Sequence, residues 1–306
     1  MMIEPIIQVK DFRKTYGDFV AVDKLSFEVH PGEIFGLLGP NGAGKTSTLE
    51  SLEGLRHPNG GSLKIAGIDP VQNPSGLKNM IGVQLQSGGL PESITVEEAL
   101  KFFAAYHQVA PRFDLIDRLG LHGKRKAQYH QLSTGQQRRL SLALAIAHRP
   151  QVLFLDEPTA GLDVATRVEL HHMMRELKEE GTTIILATHD MAEAEEMSDR
   201  IAILLNGRLA VTGTPMEITA TGSQLTKVSV RTQNNILAEN NANLPAVRQH
   251  TFKDGYHIYF SDEIGPTVAA IIDHIQTQQD NLIDLRVERP SLEDRFLEIT
   301  NPGEKQ

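Results

Sequence analysis

A glycine-rich segment constrains the fold of this chain more than any other feature of its sequence. The segment from Gly39 to Thr46 fits the pattern G-x-x-x-x-G-K-[ST] and follows the apolar run Ile34 to Leu38. This context predicts a strand, a phosphate-binding loop and a helix in succession, because the glycines let backbone N–H groups point inward around a phosphate. We expect Lys45 to reach the β- and γ-phosphates of a nucleotide and the Thr46 hydroxyl to bind the accompanying Mg²⁺. The predicted phosphate-binding residues are Gly39, Pro40, Asn41, Gly42, Ala43, Gly44, Lys45, Thr46 and Ser47.

Short apolar runs alternate with longer segments of helical period through the first two thirds of the chain. That alternation predicts an α/β fold, with a parallel sheet covered by helices. The predicted strands are Ile34 to Leu38, Met80 to Leu85, Val152 to Leu155, Thr183 to Ala187 and Ile201 to Leu205. The predicted helices are Lys45 to Leu55, Val96 to Gln108, Gln136 to His148, Thr166 to Glu180 and Met191 to Ser198. Asn206-Gly207 predicts an antiparallel hairpin at the end of the sheet, and Ile6 to Phe12 and Leu25 to Val29 predict further antiparallel strands.

A turn-rich stretch, residues 213–224, separates this pattern from a different one. It predicts two domains, 1–220 and 221–306. The second part is predicted to follow the order β-α-β-β-α-β of a small α+β ferredoxin-like domain, with a terminal helix after it. The predicted elements are strands Lys227 to Arg231, Val247 to Phe252, Tyr256 to Phe260 and Leu282 to Val287, with helices Ile236 to Ala242, Thr267 to Gln278 and Ser291 to Ile299.

Composition removes several classes of protein. The chain has no cysteine, so disulfides, thiolate metal sites and cysteine nucleophiles are excluded, and a reducing compartment is expected. Its formal net charge of −9 disfavours binding to nucleic acid or to anionic lipid. No apolar stretch approaches the roughly 20 residues that cross a bilayer, and no export signal is recognised at the start. We therefore expect a chain that remains in the cytoplasm.

Two acidic residues follow the apolar run Val152 to Leu155. The carboxyl ends of such strands are where open α/β sheets bind ligands, so Asp156 is expected to hold Mg²⁺ and Glu157 to act as general base toward water. The alternative interpretation is that Asp156 and Glu157 are ordinary solvated acids at the end of a strand, with no role in catalysis or metal binding. His189 follows the run Thr183 to Thr188 and is expected to contact a γ-phosphate, although it could also cap the next helix.

A second predicted anion-binding end lies at Leu132-Ser133-Thr134-Gly135-Gln136, just before an apolar helix. Helix N-termini attract phosphate, so Ser133, Gly135 and Gln136 are candidate nucleotide ligands. An ordinary serine N-cap explains the same residues without a ligand.

Together, the segments Gly39 to Thr46, Leu132 to Gln136 and Leu153 to Pro158, followed by His189, resemble the ATP-binding cassette (ABC) ATPases over about residues 5 to 220. The resemblance implies a P-loop cassette with a mixed central sheet, an antiparallel β subdomain and a helical subdomain, which binds ATP and Mg²⁺. Further roles follow from matching positions. Tyr16 falls where the family stacks an aromatic ring on adenine, Gln86 where a glutamine contacts Mg²⁺ and water, and Asp163 where a loop couples two sites across a dimer. Gln84 is close enough to compete with Gln86 for that role.

The family resemblance also implies partners. The Leu-Ser-Gly-Gly-Gln signature of the family closes over ATP held by the opposite subunit, so a head-to-tail homodimer is expected, with ATPase activity driving transport. The segment from Arg289 to Leu297 is similar to the closing motif of the antibiotic-efflux (daunorubicin-resistance, ABC-2) branch. That branch works with separate permease subunits, so the chain is expected at the cytoplasmic face of the membrane, attached through a permease and powering export.

Thr134 departs from the family pattern, which most often has glycine there. If that position requires a positive φ, threonine is costly and hydrolysis is expected to be slower.

Other functions are possible for the sequence. The chain could be a soluble ABC ATPase acting on ribosomes or DNA, or its C-terminal domain could bind a small ligand. A GTPase is disfavoured because no Asn-Lys-x-Asp sequence is present, and a histidine metal site because no two histidines lie four apart.

Overall fold

The computed structural model describes residues 4–84, 89–220, 225–238, 244–288 and 290–300. The chain separates into two compact units, 1–215 and 216–306, a few residues before the boundary that the sequence predicts. Among the described residues, no helix combines the length and apolar character needed to cross a bilayer.

The first unit contains two sheets and the helices that cover them. Its strands are β1 (Ile7–Tyr16), β2 (Phe19–Val29), β3 (Ile34–Leu38), β4 (Gly60–Ile65), β5 (Ile81–Gln84), β6 (Val152–Asp156), β7 (Thr183–Thr188), β8 (Arg200–Leu205) and β9 (Arg208–Gly213). Its helices are α1 (Lys45–Leu52), α2 (Pro74–Leu77), α3 (Val96–Tyr106), α4 (Asp114–Arg118), α5 (Thr134–Ile146), α6 (Val164–Glu179) and α7 (Met191–Met197), and α8 (Pro215–Ala220) leads into the second unit.

The central sheet has the strand order β5-β6-β7-β3-β8-β9. The first five strands are parallel, and every residue of β3, β6 and β7 is buried, because helices cover both faces. Strand β9 pairs antiparallel with β8 through a tight hairpin. Asn206 and Gly207 form its turn with φ of 50° and 75°, the conformation for which the Asn-Gly pair is favoured. The sequence therefore predicted the central strands and the hairpin correctly.

Alternate residues of the buried strands belong to two separate cores. Leu153 of β6 packs in a cluster with Leu140 of α5, whereas the neighbouring Phe154 packs in a cluster with Leu49 of α1. Because successive side chains of a strand point to opposite faces, α1 and α5 cover opposite faces of the central sheet.

The antiparallel sheet of the first unit has the order β2-β1-β4 and shares its core with α1. Phe12, Leu25 and Leu63, one from each strand, are buried in this core. The sheet therefore lies on the same side of the central sheet as the glycine-rich loop, with Tyr16 at the end of β1.

The second unit contains a further antiparallel sheet and helices. Its elements are β10 (Thr226–Thr232), β11 (Val247–Lys253), β12 (Tyr256–Ser261), β13 (Leu282–Glu288), α9 (Ile264–Thr277) and α10 (Leu292–Thr300). The strand order of the sheet is β11-β12-β10-β13. Val228 and Tyr259 of the sheet pack with Ile271 and Ile275 of α9 to form its core.

One predicted helix of this unit is wrong in its described part. The segment predicted as a helix from Ile236 to Ala242 forms only a 3-10 turn, Ile236–Ala238, and its remaining residues lie outside the described ranges. The preceding chain is held in a turn, because the Asp280 carboxylate accepts hydrogen bonds from the backbone and side-chain nitrogens of Asn234 at 3.1 and 3.0 Å. Asn235 then adopts a left-handed φ of 54° directly before the 3-10 turn.

Candidate nucleotide-binding site

The glycine-rich loop joins β3 to α1 in a conformation that requires its glycines. Gly42 and Gly44 have φ of 81° and 99°, in the region that side chains disfavour. A Cβ atom on Gly39 would lie 2.5 Å from the carbonyl oxygen of Leu204, and one on Gly44 would lie 2.7 Å from that of Ala21. Gly44 is the N-cap of α1 and supplies no side-chain cap, so the first N–H groups of the helix face the loop. This arrangement fits a phosphate group.

Lys45 is buried inside the loop. Its ammonium donates hydrogen bonds to the carbonyl oxygens of Gly39 and Pro40 at 2.7 and 3.2 Å. Burial lowers the pKa of Lys45, while the carboxylates of Glu157 and Asp156 act in the opposite direction. The ammonium is therefore a poorly solvated cation at the centre of the loop, where a phosphate oxygen would neutralise it.

Thr46 and Asp156 meet at the carboxyl end of β6. The Thr46 hydroxyl donates to Asp156 Oδ2 at 3.2 Å, and Asp156 is almost fully buried. Burial raises the pKa of Asp156, assisted by the nearby Glu157 carboxylate and opposed by Thr46 and Lys45. A hydroxyl and a carboxylate oxygen are ligands that Mg²⁺ accepts. A divalent cation bound here would favour the ionised form of Asp156. Among the described residues, no cluster of three or more His, Asp or Glu side chains could hold a metal.

Glu157 and His189 form a pair beside Asp156. His189 Nδ1 lies 2.9 Å from Glu157 Oε1, because β6 and β7 are neighbours and both residues follow a strand end. Glu157 has a φ of 47°, a conformation that costs a non-glycine residue roughly 1–2 kcal/mol and is characteristic of functional sites. The backbone N–H of Glu157 donates to the carbonyl of Ala187 at 2.9 Å, which holds the strained residue in place. The structure thus brings together the predicted base and the predicted phosphate-contacting histidine.

Tyr16 borders the groove above the loop. Its hydroxyl lies 3.2 Å from the Ser47 hydroxyl, and the ring is about 39% exposed. The ammonium of Lys14 lies 5.1 Å from the ring centroid, so a cation already occupies one side of the ring. Tyr16 lines the groove together with Phe19, Asn41, Gly42, Gly44, Lys45, Thr46, Ser47 and Glu157.

Phe19 is a groove residue that the sequence reasoning missed. It pairs directly with Tyr16 across the β1–β2 turn, and its side chain is 63% exposed. The signal was present, because Gly17 and Asp18 form a short turn that places an aromatic residue on each side of it. The groove therefore offers two aromatic side chains to a flat base.

The predicted second anion site lies elsewhere in the first unit. Ser133 is the N-cap of α5: its hydroxyl accepts from the Gln136 N–H at 3.3 Å, and the Gln136 side chain accepts from the Ser133 N–H at 3.0 Å. Because α5 covers the face of the central sheet opposite α1, neither Ser133 nor Gly135 nor Gln136 lines the groove of the same chain. Thr134 is the first residue of the helix and does not have a positive φ, so the backbone cost expected for threonine there does not arise.

Asp163 lies close to that second site. Its carboxylate caps α6, accepting from the N–H and the hydroxyl of Thr166, both at 2.9 Å, and the first of these bonds lowers the pKa of Asp163. A Cβ atom on Gly135 would lie 2.9 Å from the Thr166 methyl group. The capped end of α6 and the head of α5 are therefore in contact, away from the groove.

Gln86 lies outside the described residues, so its role stays a prediction. Gln84, its competitor, is buried at the end of β5, and its amide donates to the carbonyl of Arg138 in α5 at 3.4 Å. That bond directs the Gln84 side chain toward α5.

A buried polar cluster behind Glu157 and His189 was also missed. Glu193 Oε1 accepts from the Thr159 hydroxyl at 2.6 Å and lies 3.1 Å from His171 Nε2, and all three residues are at most 4% exposed. Burial alone would raise the pKa of Glu193, but these hydrogen bonds outweigh burial and hold the pKa below its ordinary value. Thr159 follows Glu157 by two positions and Glu193 follows His189 by four, so the cluster links the segments that carry the pair.

Comparison with known proteins shows the family of this chain. The family model for the ABC transporter matches residues 22–160. The chain is 40% identical over 221 residues to the Nod factor export ATP-binding protein I of Burkholderia pseudomallei (strain 1710b), covering 70% of this chain and 72% of that protein. It is 37% identical over 223 residues to the probable multidrug ABC transporter ATP-binding protein YbhF of Escherichia coli (strain K12), covering 71% of this chain but only 38% of that longer protein.

Solved structures match about 70% of the chain. A structure described as the ATP binding subunit of an ABC transporter superposes with a TM-score of 0.66 at 29% identity, covering 70% of this chain and 91% of the other. The cbiO1 protein of Clostridium perfringens matches with a TM-score of 0.64 at 29% identity, covering 71% of this chain and 92% of the other. The chain belongs to the ABC transporter family as an ATP-binding protein, and the cassettes of that family hydrolyse ATP to power transport.

Proposed function

We propose that this chain is the ATP-hydrolysing subunit of an exporter, and that two copies bind two ATP molecules head to tail. The observation that carries the proposal is the convergence of Lys45, the Thr46–Asp156 pair and the Glu157–His189 pair at one edge of the central sheet. Phosphate-binding, cation-binding and proton-accepting groups are what the hydrolysis of a nucleoside triphosphate requires.

Each residue of the site has a separate role in the proposed hydrolysis of ATP. Lys45 and the N-terminus of α1 neutralise the phosphate oxygens, and Thr46 and Asp156 would hold Mg²⁺, which supplies charge neutralisation at the β- and γ-phosphates. Glu157 accepts a proton from the attacking water. His189, whose Nδ1 lies 2.9 Å from Glu157 Oε1, orients Glu157 or the γ-phosphate. The aromatic rings of Tyr16 and Phe19 stack with the adenine base.

The position of Ser133 supports the pairing of two copies. It begins a helix on the face of the sheet opposite α1, so this helix N-terminus cannot complete the site of its own chain. Placed against a second copy, Ser133, Gly135 and Gln136 would reach the γ-phosphate there, and Asp163 beside them would sense the closure. Each ATP is then held by two chains, and hydrolysis removes contacts that favour the closed pair.

The names of the relatives support export. One relative is a Nod factor export ATP-binding protein, and another is a probable multidrug ABC transporter ATP-binding protein. With the closing motif from Arg289 to Leu297, these similarities favour an exporter of the drug-efflux type that works with separate permease subunits. The chain would lie at the cytoplasmic face of the membrane, with residues 1–220 as the cassette, residues 221–306 as an accessory domain, and Gln86 as the contact to water and Mg²⁺.

Hydrolysis is tested with Glu157→Gln, which keeps the size of the side chain but removes the base. We expect the ATPase rate to fall by about 10²–10⁴ while ATP and Mg²⁺ still bind. Glu179→Gln, the same exchange at an exposed position of α6, is the matched control and should hydrolyse normally. Wild-type turnover by the Glu157 variant would contradict the assignment of the base.

The pairing is tested by disulfide formation, which is clean because the chain has no native cysteine. In the Glu157→Gln background, chains carrying Ser133→Cys are mixed with chains carrying Asn41→Cys. ATP with Mg²⁺ should produce a cross-link between the two kinds of chain that is absent without nucleotide. No cross-link with nucleotide bound would refute the head-to-tail arrangement and leave the assignment of the base standing.

A further inference from the structure

Strand β13 forms an open edge of the second sheet. It pairs with β10 on one side, and no described strand pairs with its other side. Leu282, Ile283 and Val287 are 44%, 55% and 43% exposed, so apolar side chains accompany backbone groups that pair with no described strand on this edge. Such an edge is a template for another strand unless its sequence discourages pairing.

The sequence of β13 is complementary to itself in the antiparallel direction. Centred on Leu285, two copies would place Asp284 opposite Arg286 and Ile283 opposite Val287, twice each by symmetry. Opposite charges and apolar pairs facing each other across strands are stabilising, whereas like charges are not. A register centred on Val287 would also place Arg286 opposite Glu288, but only three residues of each strand would then overlap. The length of the overlap together with the charges therefore favours the register centred on Leu285.

The other edge of the same sheet lacks this property. If two copies of β11 paired antiparallel with His250 opposite His250, Arg248 would lie opposite Phe252 and Val247 opposite Lys253. Strand β11 contains two cations and no acidic residue, so a second copy of it would offer no opposite charge, and cations on an edge are a common protection against pairing. Self-complementarity is therefore a feature of β13 and not of the sheet as a whole.

The side chains of β13 are already in place for the contact. Arg286 Nη2 lies 2.7 Å from Asp284 Oδ2, and the Tyr256 hydroxyl donates to the same oxygen at 2.8 Å, so both charges are held on one face of the strand. Glu288, which would lie opposite Leu282 of the second copy, has its charge satisfied by Lys227 at 2.7 Å. Each of the three charged side chains within β13, namely Asp284, Arg286 and Glu288, therefore already has an opposite charge beside it.

We infer that β13 pairs with β13 of a second copy of this chain, forming one continuous antiparallel sheet across a two-fold axis. The contact does not involve nucleotide, so it joins two copies before ATP binds. It is independent of the proposed function, because the same edge would pair whether or not the cassettes hydrolyse ATP. A paired accessory unit would keep two cassettes at a high local concentration between turnovers.

The test uses charge reversal in the full chain without nucleotide, followed by sedimentation at roughly 1 to 100 µM, the range suited to a small interface. Wild type should be dimeric at the upper end of this range. Asp284→Arg and Arg286→Asp should each be monomeric there, with the dissociation constant raised at least about tenfold, because like charges then face each other. Asp273→Arg, the same reversal on the exposed side of α9, is the control and should remain dimeric.

Mixing the two single variants gives the decisive result. An Asp284→Arg chain and an Arg286→Asp chain place opposite charges across the strands only when they pair with each other, although each has lost its internal ion pair. A heterodimer from two monomeric variants supports the register. A monomeric mixture, dimeric single variants, or a monomeric wild type at the highest concentration would each overturn the inference.

A second measurement covers variants that fail to fold, as judged by circular dichroism. Hydrogen exchange of the wild-type β13 amides should slow as the protein concentration is raised from roughly 1 to 100 µM, because the dimer buries their outward N–H groups. Exchange in β13 that does not depend on concentration would equally overturn the pairing.

Discussion

Glu53, the residue that ends α1, should make the stability of this protein depend on pH. Its Oε2 atom is buried and has no hydrogen-bond partner among the described residues. Burial raises the pKa of Glu53 from 4.5 to about 8, and the carboxylates of Asp156 and Glu50 act in the same direction. The carboxyl group is therefore protonated in the folded chain at pH values where the unfolded chain has lost that proton.

The sign and size of the effect follow from that difference in proton binding. Between pH 4.5 and about 8 the folded state binds one more proton than the unfolded state, so the free energy of unfolding falls as the pH rises. At about 1.4 kcal/mol per unit, the whole shift amounts to at most about 5 kcal/mol. Glu53→Gln resembles the protonated acid at every pH, so its stability relative to wild type should rise across this window and level off above pH 8.

The assay is urea unfolding without nucleotide at pH 5, 6, 7 and 8, followed by far-ultraviolet circular dichroism because the chain has no tryptophan. The difference between the variant and wild type should increase at each step. Glu28→Gln, the same exchange at an exposed position of β2, is the control and should show no trend. A difference that stays constant with pH, or one that favours wild type at pH 8, would refute the reasoning.

Three further changes test other contacts. Gly39→Ala should lower the affinity for ATP by at least about tenfold in calorimetry, because its Cβ would lie 2.5 Å from the Leu204 carbonyl oxygen and the loop must shift. Thr159→Val, which removes the hydroxyl 2.6 Å from Glu193, should destabilise the fold by about 1–3 kcal/mol and lower kcat with KM for ATP unchanged, since the loop that carries Glu157, the proposed base, loses a hydrogen bond that holds it. Thr134→Gly should leave the ATPase rate within about twofold while lowering helix stability by about 1 kcal/mol, because Thr134 already has a helical backbone.

Controls separate these effects from general damage. Gly89→Ala adds a methyl group where no atom lies within 4 Å, so ATP affinity should be unchanged. Thr183→Val removes a buried hydroxyl that accepts from Gly32 N at 3.0 Å, far from the pair, and should cost stability without changing kcat. Equal kcat values for the Thr159 and Thr183 variants, normal ATP affinity of the Gly39 variant, or a several-fold faster Thr134 variant would contradict the respective predictions.

The local chemistry of the site was predictable from the sequence because each part of it depends on neighbours along the chain. The glycine loop bends where its glycines are, and Asp156 and Glu157 follow a run of buried apolar residues. Helix starts were placed less well. The helix predicted from Gln136 begins at Thr134, because the reciprocal bonds between Ser133 and Gln136 start it two residues earlier.

The assembly of these parts was not predictable from local pattern. Strand β3 lies between β7 and β8, and β5 lies beside β6, although long stretches of chain separate these neighbours. The pairing of β6 with β7 brings Glu157 to His189. Contacts such as that of Thr159 with Glu193 depend on how α7 packs against the sheet, and no spacing in the sequence encodes them.

The sequence by itself determined which residues stand in the glycine loop, at the ends of the buried strands and at the helix caps, because loop conformation, strand burial and helix capping are set by adjacent residues. Only the tertiary structure decided that Ser133 and the glycine loop lie on opposite faces of one sheet, and that Phe19 joins Tyr16 beside the groove. The reason is physical: side-chain burial selects one packing of distant segments, and that packing, more than any motif, places the groups in space.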